Sequence, residues 1–170
     1  MRLLPRKPRI IIILAVAACV AVTAVVIAHA LYIGPEQPIP FSHRIHAGTK
    51  HISCIFCHPN ATRSSNAGMP PVEKCAFCHK VIATNFKPIS KIFSYYDRNQ
   101  PIPWVRVYVL PDFVRFNHQA HIAAGRDCGD CHGDVTGMDR IKVARKIDMN
   151  FCVSCHWKNK VSTDCYTCHY

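Results

Sequence analysis

Ten cysteines of this chain fall into one pattern, five times over: Cys54-Ile-Phe-Cys57-His58, Cys75-Ala-Phe-Cys78-His79, Cys128-Gly-Asp-Cys131-His132, Cys152-Val-Ser-Cys155-His156 and Cys165-Tyr-Thr-Cys168-His169. Of the 11 cysteines, Cys19 alone stands outside it. A length of 170 residues leaves room for one modest domain. That many cysteines exceed what a cytosolic globule uses, so they form a disulfide framework, a metal framework or a set of attachment points. With 49% hydrophobic residues the chain is not disordered.

The pattern itself decides among the three. Zinc ribbons pair two CxxC units per ion and need no adjacent histidine. A thioredoxin-like redox site needs one CxxC at a helix start, not five. Disulfides within each CxxC would leave five histidines without a reason. A c-type haem uses every member: two thiols at this spacing form thioethers to the porphyrin vinyl groups, and the following histidine binds iron from one face. The sequence therefore predicts five covalently bound haem c groups. Cys54, Cys57, Cys75, Cys78, Cys128, Cys131, Cys152, Cys155, Cys165 and Cys168 are the attachment points, and His58, His79, His132, His156 and His169 are iron ligands.

Five more histidines lie outside these motifs and the N-terminal apolar run, and four of them repeat a constellation. Phe41-Ser-His43-Arg-Ile-His46 stands before Cys54, and Phe116-Asn-His118-Gln-Ala-His121 stands before Cys128. Each is followed by two CxxCH motifs, which divides the chain into a first two-haem module (34–100) and a second (101–170) that carries the terminal fifth motif. Histidines three apart share one side of a helical turn yet point in different directions, so one HxxH can serve two irons. The fifth sixth-ligand stays open. His51 has no counterpart in the second half, where Ala124-Gly125-Arg126 occupies the comparable stretch, and Met69, Met138 and Met149 compete with it. The expectation is four bis-His haems and one His/Met haem, with Met149, three residues before Cys152, as first donor and Met138 as second; methionine otherwise fills gaps against haem faces.

From Ile10 to Ile33 there is no charged residue and no proline, and a helix of that length spans about 36 Å, enough to cross a bilayer with some tilt. The basic stretch MRLLPRKPR (1–9) precedes it, whereas GPEQPIP follows. The positive-inside rule then puts residues 1–9 in the cytoplasm, makes 10–33 a single uncleaved transmembrane anchor in the inner (cytoplasmic) membrane, and places the rest on the periplasmic or extracellular side. Two rivals are a signal peptide cleaved after Ala28-His29-Ala30 and a lipobox at Val16-Ala17-Ala18-Cys19. The run is too long for the first, and the second would leave a mature chain starting in another apolar stretch. Cys19 is then a small membrane-buried side chain, and His29 an interfacial one, neutral or touching a quinone site.

The formal charge is +11, and removing Arg2, Arg6, Lys7 and Arg9 leaves +7 beyond the apolar run, with no basic cluster. That is a weak case for a nucleic-acid interface, and none is expected. Ten propionates from five haems balance it instead. Prolines punctuate the region after the anchor, and 34–170 offers about 27 residues per motif, too few for a conventional apolar core. The expected fold class is a multihaem cytochrome c: mostly short α-helices at each CxxCH and HxxH and irregular loops around stacked haems, with one N-terminal transmembrane helix. Trp104-Val-Arg-Val-Tyr-Val-Leu110, bounded by Pro103 and Pro111, predicts one short strand packed on a partner or a haem edge.

FxHxxH ahead of a CxxCH resembles the class III, cytochrome c3-like proteins. That resemblance implies that His43 and His118 bind the iron of the haem just after them, and that His46 and His121 cross to other haems. The anchor, FSHxxHAG before the first motif, PIPWVRVYVLPDFVRFNHQAH between the modules and the five haem motifs together resemble the pentahaem, membrane-anchored cytochrome c subunit of alternative complex III. This resemblance implies an electron-transfer subunit without a substrate site of its own. It would serve a membrane quinol:electron-acceptor oxidoreductase, passing electrons to a periplasmic cytochrome or copper-protein acceptor. The implied partners are an iron-sulfur subunit, polysulfide-reductase-type integral membrane subunits and a monohaem cytochrome c subunit. His51 departs from that family's pattern, which has a small residue there. The alternatives are a stand-alone membrane-anchored quinol dehydrogenase of the NapC/NirT type, whose first motif carries a Met beyond its His where this chain has Pro59, and a catalytic multihaem enzyme, which would need a CxxCK motif that this sequence lacks.

Overall fold

The computed structural model describes residues 6–170; the first five residues of the basic stretch, Arg2 among them, lie outside the described residues. Helix α1 (Arg6–Ile33) is the long apolar segment, and its stretch Pro8–His29 is long and apolar enough to cross a membrane, with none of it buried against the rest of the chain. At its end Gly34 takes φ +79°, a left-handed conformation that suits glycine. A Cβ at this position would run into the carbonyl oxygen of Ile141. The exit of α1 is thereby pressed onto the loop between the third and fourth motifs.

Beyond α1 the chain forms short helices set by the motifs. They are α2 (Cys54–Cys57), α3 (Val72–His79), α4 (Lys87–Tyr96), α5 (His118–Ala123), α6 (Cys128–His132), α7 (Met149–Lys158) and α8 (Cys165–Cys168). Each CxxC occupies one helical turn, which puts its two thiols on one side. Acceptor side chains begin several of these turns: Asp148 takes the N–H of Phe151 at 3.0 Å, Asp164 that of Tyr166 at 2.9 Å, and Asn117 that of Ala120 at 3.4 Å. Ahead of α6 the arrangement reverses, and the Asp130 carboxylate accepts from the N–H of Asp127 at 3.2 Å. The first HxxH departs from expectation, because Arg44–Thr49 winds as a π-helical turn rather than an α-helix, a form that recurs at functional sites.

The run from Trp104 to Leu110 is not a strand, and the described residues contain none; one isolated antiparallel bridge joins Val114 to His169. The reason is local. Pro101, Pro103 and Pro111 supply no N–H, and the backbone of Val105 pairs with a side chain instead: its N–H donates to Gln37 Oε1 and its carbonyl accepts from Gln37 Nε2, both at 3.0 Å. Tyr108 reaches across to take the N–H of Ala144 at 3.0 Å.

The protein core is small. Ile39, Val72, Ile89, Ile92 and Ile102 form its buried cluster, with Cys75, Phe93, Tyr95, Tyr96 and Trp104 packed around it. It lies where α3 and α4 meet the segments after the anchor and between the repeats. The remaining motifs lie outside this cluster.

Candidate haem sites

Six of the histidines singled out in the sequence share one feature. His46 Nδ1 lies 2.8 Å from the carbonyl of Ser42, His58 2.9 Å from Gly68, His79 3.0 Å from Ile82, His118 2.9 Å from Ser65, His121 2.8 Å from Asn117 and His156 2.6 Å from Ser162. A carbonyl can only accept, so each Nδ1 carries the proton and each Nε2 keeps its lone pair for a metal. Such an outer partner also orients the ring and raises its basicity. Phenylalanines back the distal candidates: Phe41 stacks on His46 at 4.3 Å and meets His43 edge-on at 4.9 Å, and Phe116 lies 4.7 Å from both His118 and His121.

The rings then pair. His46 and His79 have centroids 6.1 Å apart, His118 and His132 6.4 Å, and His121 and His156 6.2 Å. Two metal–imidazole bonds of about 2 Å each, plus the offset from each nitrogen to its ring centre, come to about 6.5 Å. At this spacing each pair would hold one haem iron between its two imidazoles. His43 has His58 and His46 beside it, and its pKa is pushed down to about 4, first by burial, then by those two rings. Burial likewise lowers His132, with His118 and His58 beside it. In the second repeat the ring pairs join the first histidine of the HxxH to the motif just after it and the second to the next motif along, and in the first repeat His46 likewise meets the second motif along. The residues present fit haem c, which when bound supplies a one-electron ferric/ferrous couple.

The thiols show how the motifs follow one another in space. Burial raises the pKa of Cys57, Cys75, Cys128, Cys131 and Cys152, and a thiol of another motif adds to each. Cys78 stands beside Cys57 and Cys57 beside Cys75; Cys54 stands beside Cys128; Cys155 stands beside Cys131; Cys168 and Cys131 stand beside Cys152. These neighbours set the second motif beside the first, the first beside the third, the third beside the fourth and the fourth beside the fifth, with the two repeats meeting at Cys54 and Cys128.

The fifth motif is held by Arg115, whose N–H donates to the Cys168 carbonyl at 2.7 Å, and by the Val114–His169 bridge. Phe113 is the ring beside His169, with centroids 5.8 Å apart. Met149 opens α7 one turn before Cys152 and is 67% exposed, whereas Met138 is 8% exposed and its carbonyl accepts from the N–H of Arg44. His51 is exposed and takes φ +53°, at the first motif rather than the fifth. Met69 is exposed as well. Sequence reasoning missed the carbonyl acceptors, the Tyr108 ring set edge-on to His132 at 4.7 Å, and the contacts of Asp139 with Ser42 and Arg44. Backbone oxygens have no residue signature, so no signal pointed to them.

Residues 114–170 match the family model described as cytochrome c7 and related cytochrome c. The chain is also similar to the multiheme cytochrome c subunit of menaquinone reductase from Nitratidesulfovibrio vulgaris (strain Hildenborough), at 34% identity over 103 residues, 60% of this chain and 48% of that protein. The chain thus spans about half the length of the relative it matches. The described residues form a helix-and-loop, cytochrome c7-like multihaem domain behind one N-terminal apolar helix of membrane-anchor length, and the match of 114–170 implies covalently bound haem c.

Proposed function

We propose that this chain is the membrane-anchored electron-transfer subunit of a quinone-linked oxidoreductase of the alternative complex III type, carrying five haem c groups. The observation that supports this reading is the set of three imidazole pairs at 6.1–6.4 Å, each joining an HxxH histidine to the histidine of a CxxCH motif, with neighbouring motifs set side by side. Residues so arranged bind, orient and shield redox centres and make or break no substrate bond. The chain is a conductor, and the quinone chemistry belongs to its partners: an iron-sulfur subunit, polysulfide-reductase-type membrane subunits and a monohaem cytochrome c. In this reading α1 holds the motifs at the outer face of the inner membrane with its N-terminus in the cytoplasm. Electrons from quinol leave to a periplasmic cytochrome or copper protein.

Similarity to a menaquinone reductase subunit favours a second direction, in which electrons run from periplasmic donors toward menaquinone. The native complex, purified in mild detergent, separates these readings. Rapid haem reduction by a menaquinol analogue, with the partner subunits co-purifying, supports quinol oxidation. Menaquinone reduction fed by a reduced soluble cytochrome supports the reverse. Rapid reduction of the subunit freed of every partner would replace both with the stand-alone quinol dehydrogenase of the NapC/NirT type.

A further inference from the structure

Each HxxH is docked on the other repeat, at equivalent positions. The N–H of Gln119, next after His118, donates to the carbonyl of Ser64, six residues beyond His58 (3.1 Å). The N–H of Arg44, next after His43, donates to the carbonyl of Met138, six residues beyond His132 (2.9 Å). The backbone exchange is reciprocal; the next contact is not. His118 secures itself, its N–H and Nδ1 both on the carbonyl of Ser65 at 3.2 and 2.9 Å. The residue equivalent to Ser65 is Asp139, and there the contact runs through the carboxylate. Arg44 grips it with two N–H groups, Nε to Oδ2 and Nη2 to Oδ1, each at 2.9 Å, and the Ser42 hydroxyl donates to Oδ1 at 2.7 Å. His43 Nδ1 is left buried without a hydrogen-bond partner.

We propose that Asp139, in the second repeat, is a positioning residue for two iron ligands of the first, His43 and His46. The proposal rests on the haem-ligand reading above. Ser42 is the link to His46: while its hydroxyl is fixed on Asp139, its carbonyl accepts from His46 Nδ1 and its Oγ accepts from the N–H of Ile45 at 3.1 Å. His43 stands between Ser42 and Arg44, both tied to the same carboxylate. Lacking an acceptor of its own, its ring takes its orientation from that clamped backbone and from Phe41. The two side chains of the ion pair are 52% and 62% exposed, so its contribution to stability is small. Its directional value is larger, because a guanidinium meeting a carboxylate through two N–H groups has one geometry. Farther along the π turn, Gly48 lies against the carbonyl of Thr136, where a Cβ would crowd it. Both ends of the turn are therefore referenced to the second repeat.

The test is electron paramagnetic resonance of the oxidised full chain, with low-spin signals assigned from His43→Ala, His46→Ala, His118→Ala and His121→Ala taken singly. In Asp139→Ala, the two signals belonging to His43 and His46 should move, with altered midpoint potentials, while those of His118 and His121 stay in place. Arg44→Lys, which keeps the charge and loses the fork, should move the same two signals and carries the test if Asp139→Ala does not mature. The exchange Arg44→Asp with Asp139→Arg restores the ion pair but removes the acceptor of the Ser42 hydroxyl, so it should return the His43 signal toward its original position and leave the His46 signal displaced. An unchanged Asp139→Ala spectrum, or displacement of all signals together, would overturn the proposal. A wild-type chain short of haem by intact mass would instead undo the haem reading, so the two failures are distinct.

Discussion

The imidazoles of His118 and His132 lie within 5° of parallel, with their centroids 6.4 Å apart. Carbonyl capture of His118 Nδ1 at Ser65 fixes one ring, and the helical turn of α6 presents the other. The pair His46–His79 has nearly the same separation but an interplanar angle of 67°, and His121–His156 lies between them at 44°. The mutual orientation of two axial imidazoles sets the splitting of the iron d orbitals. The His118/His132 site should therefore give a rhombic low-spin spectrum, and the His46/His79 site a strongly anisotropic one. His118→Ala should abolish the rhombic signal and leave the anisotropic one; loss of the anisotropic signal instead would reverse the pairing.

Four distal histidines leave one iron to another donor. Met149 is the proposed ligand, exposed at the start of α7 one helical turn before Cys152, whereas Met138 is buried and its carbonyl is tied into the Arg44 contact. Thioether favours the ferrous state relative to imidazole, so this haem should have the highest potential of the five. Near-infrared magnetic circular dichroism should show one His/Met band that disappears in Met149→Leu. Its persistence in a Met138/Met149 double substitution, or its absence from the wild type, would assign the fifth iron to His51 or to another donor.

Gly34 ties the anchor to the redox domain. Replacement by alanine meets two penalties, a left-handed φ of +79° and a collision with the Ile141 carbonyl. The left-handed conformation alone costs roughly 1–2 kcal/mol for an L-residue. Gly34→Ala should lower the melting temperature of the detergent-solubilised chain while leaving its haem spectrum intact, whereas Gly125→Ala, with φ +75° but nothing near its Cβ, should cost less. Equal losses would mean that the Ile141 contact contributes nothing.

What the sequence revealed and what it hid divide along a physical line. Covalent attachment demands fixed residue types at fixed spacing, so all five CxxCH helices were legible. The turn-starting acceptors Asp148, Asp164 and Asn117 emerged only from the fold, although Asp and Asn are ordinary residues for that position. Trp104–Leu110 misled because its β-branched pattern gave no sign that Gln37 would satisfy Val105 in place of a neighbouring strand. The docking of each HxxH on the opposite repeat was hidden for another reason: Ser64, Ser65 and Met138 act through backbone carbonyls, which any residue supplies. Asp139 was a lone exposed acid until the fold set it against Arg44.

The anchor has its own test. If α1 is an uncleaved membrane span, the mature protein should stay in the membrane fraction through alkaline carbonate washing and retain residues 1–30 by peptide mapping. A mature N-terminus beyond Ala30 would make that segment a signal peptide.

Five haems on one chain, held by ten cysteines and five motif histidines, can be counted by intact mass of the denatured, reduced protein, because thioether-bound haem survives denaturation and reduction. The expected value is the polypeptide mass plus five haem increments; a fully matured chain carrying four or fewer would overturn the five-haem reading.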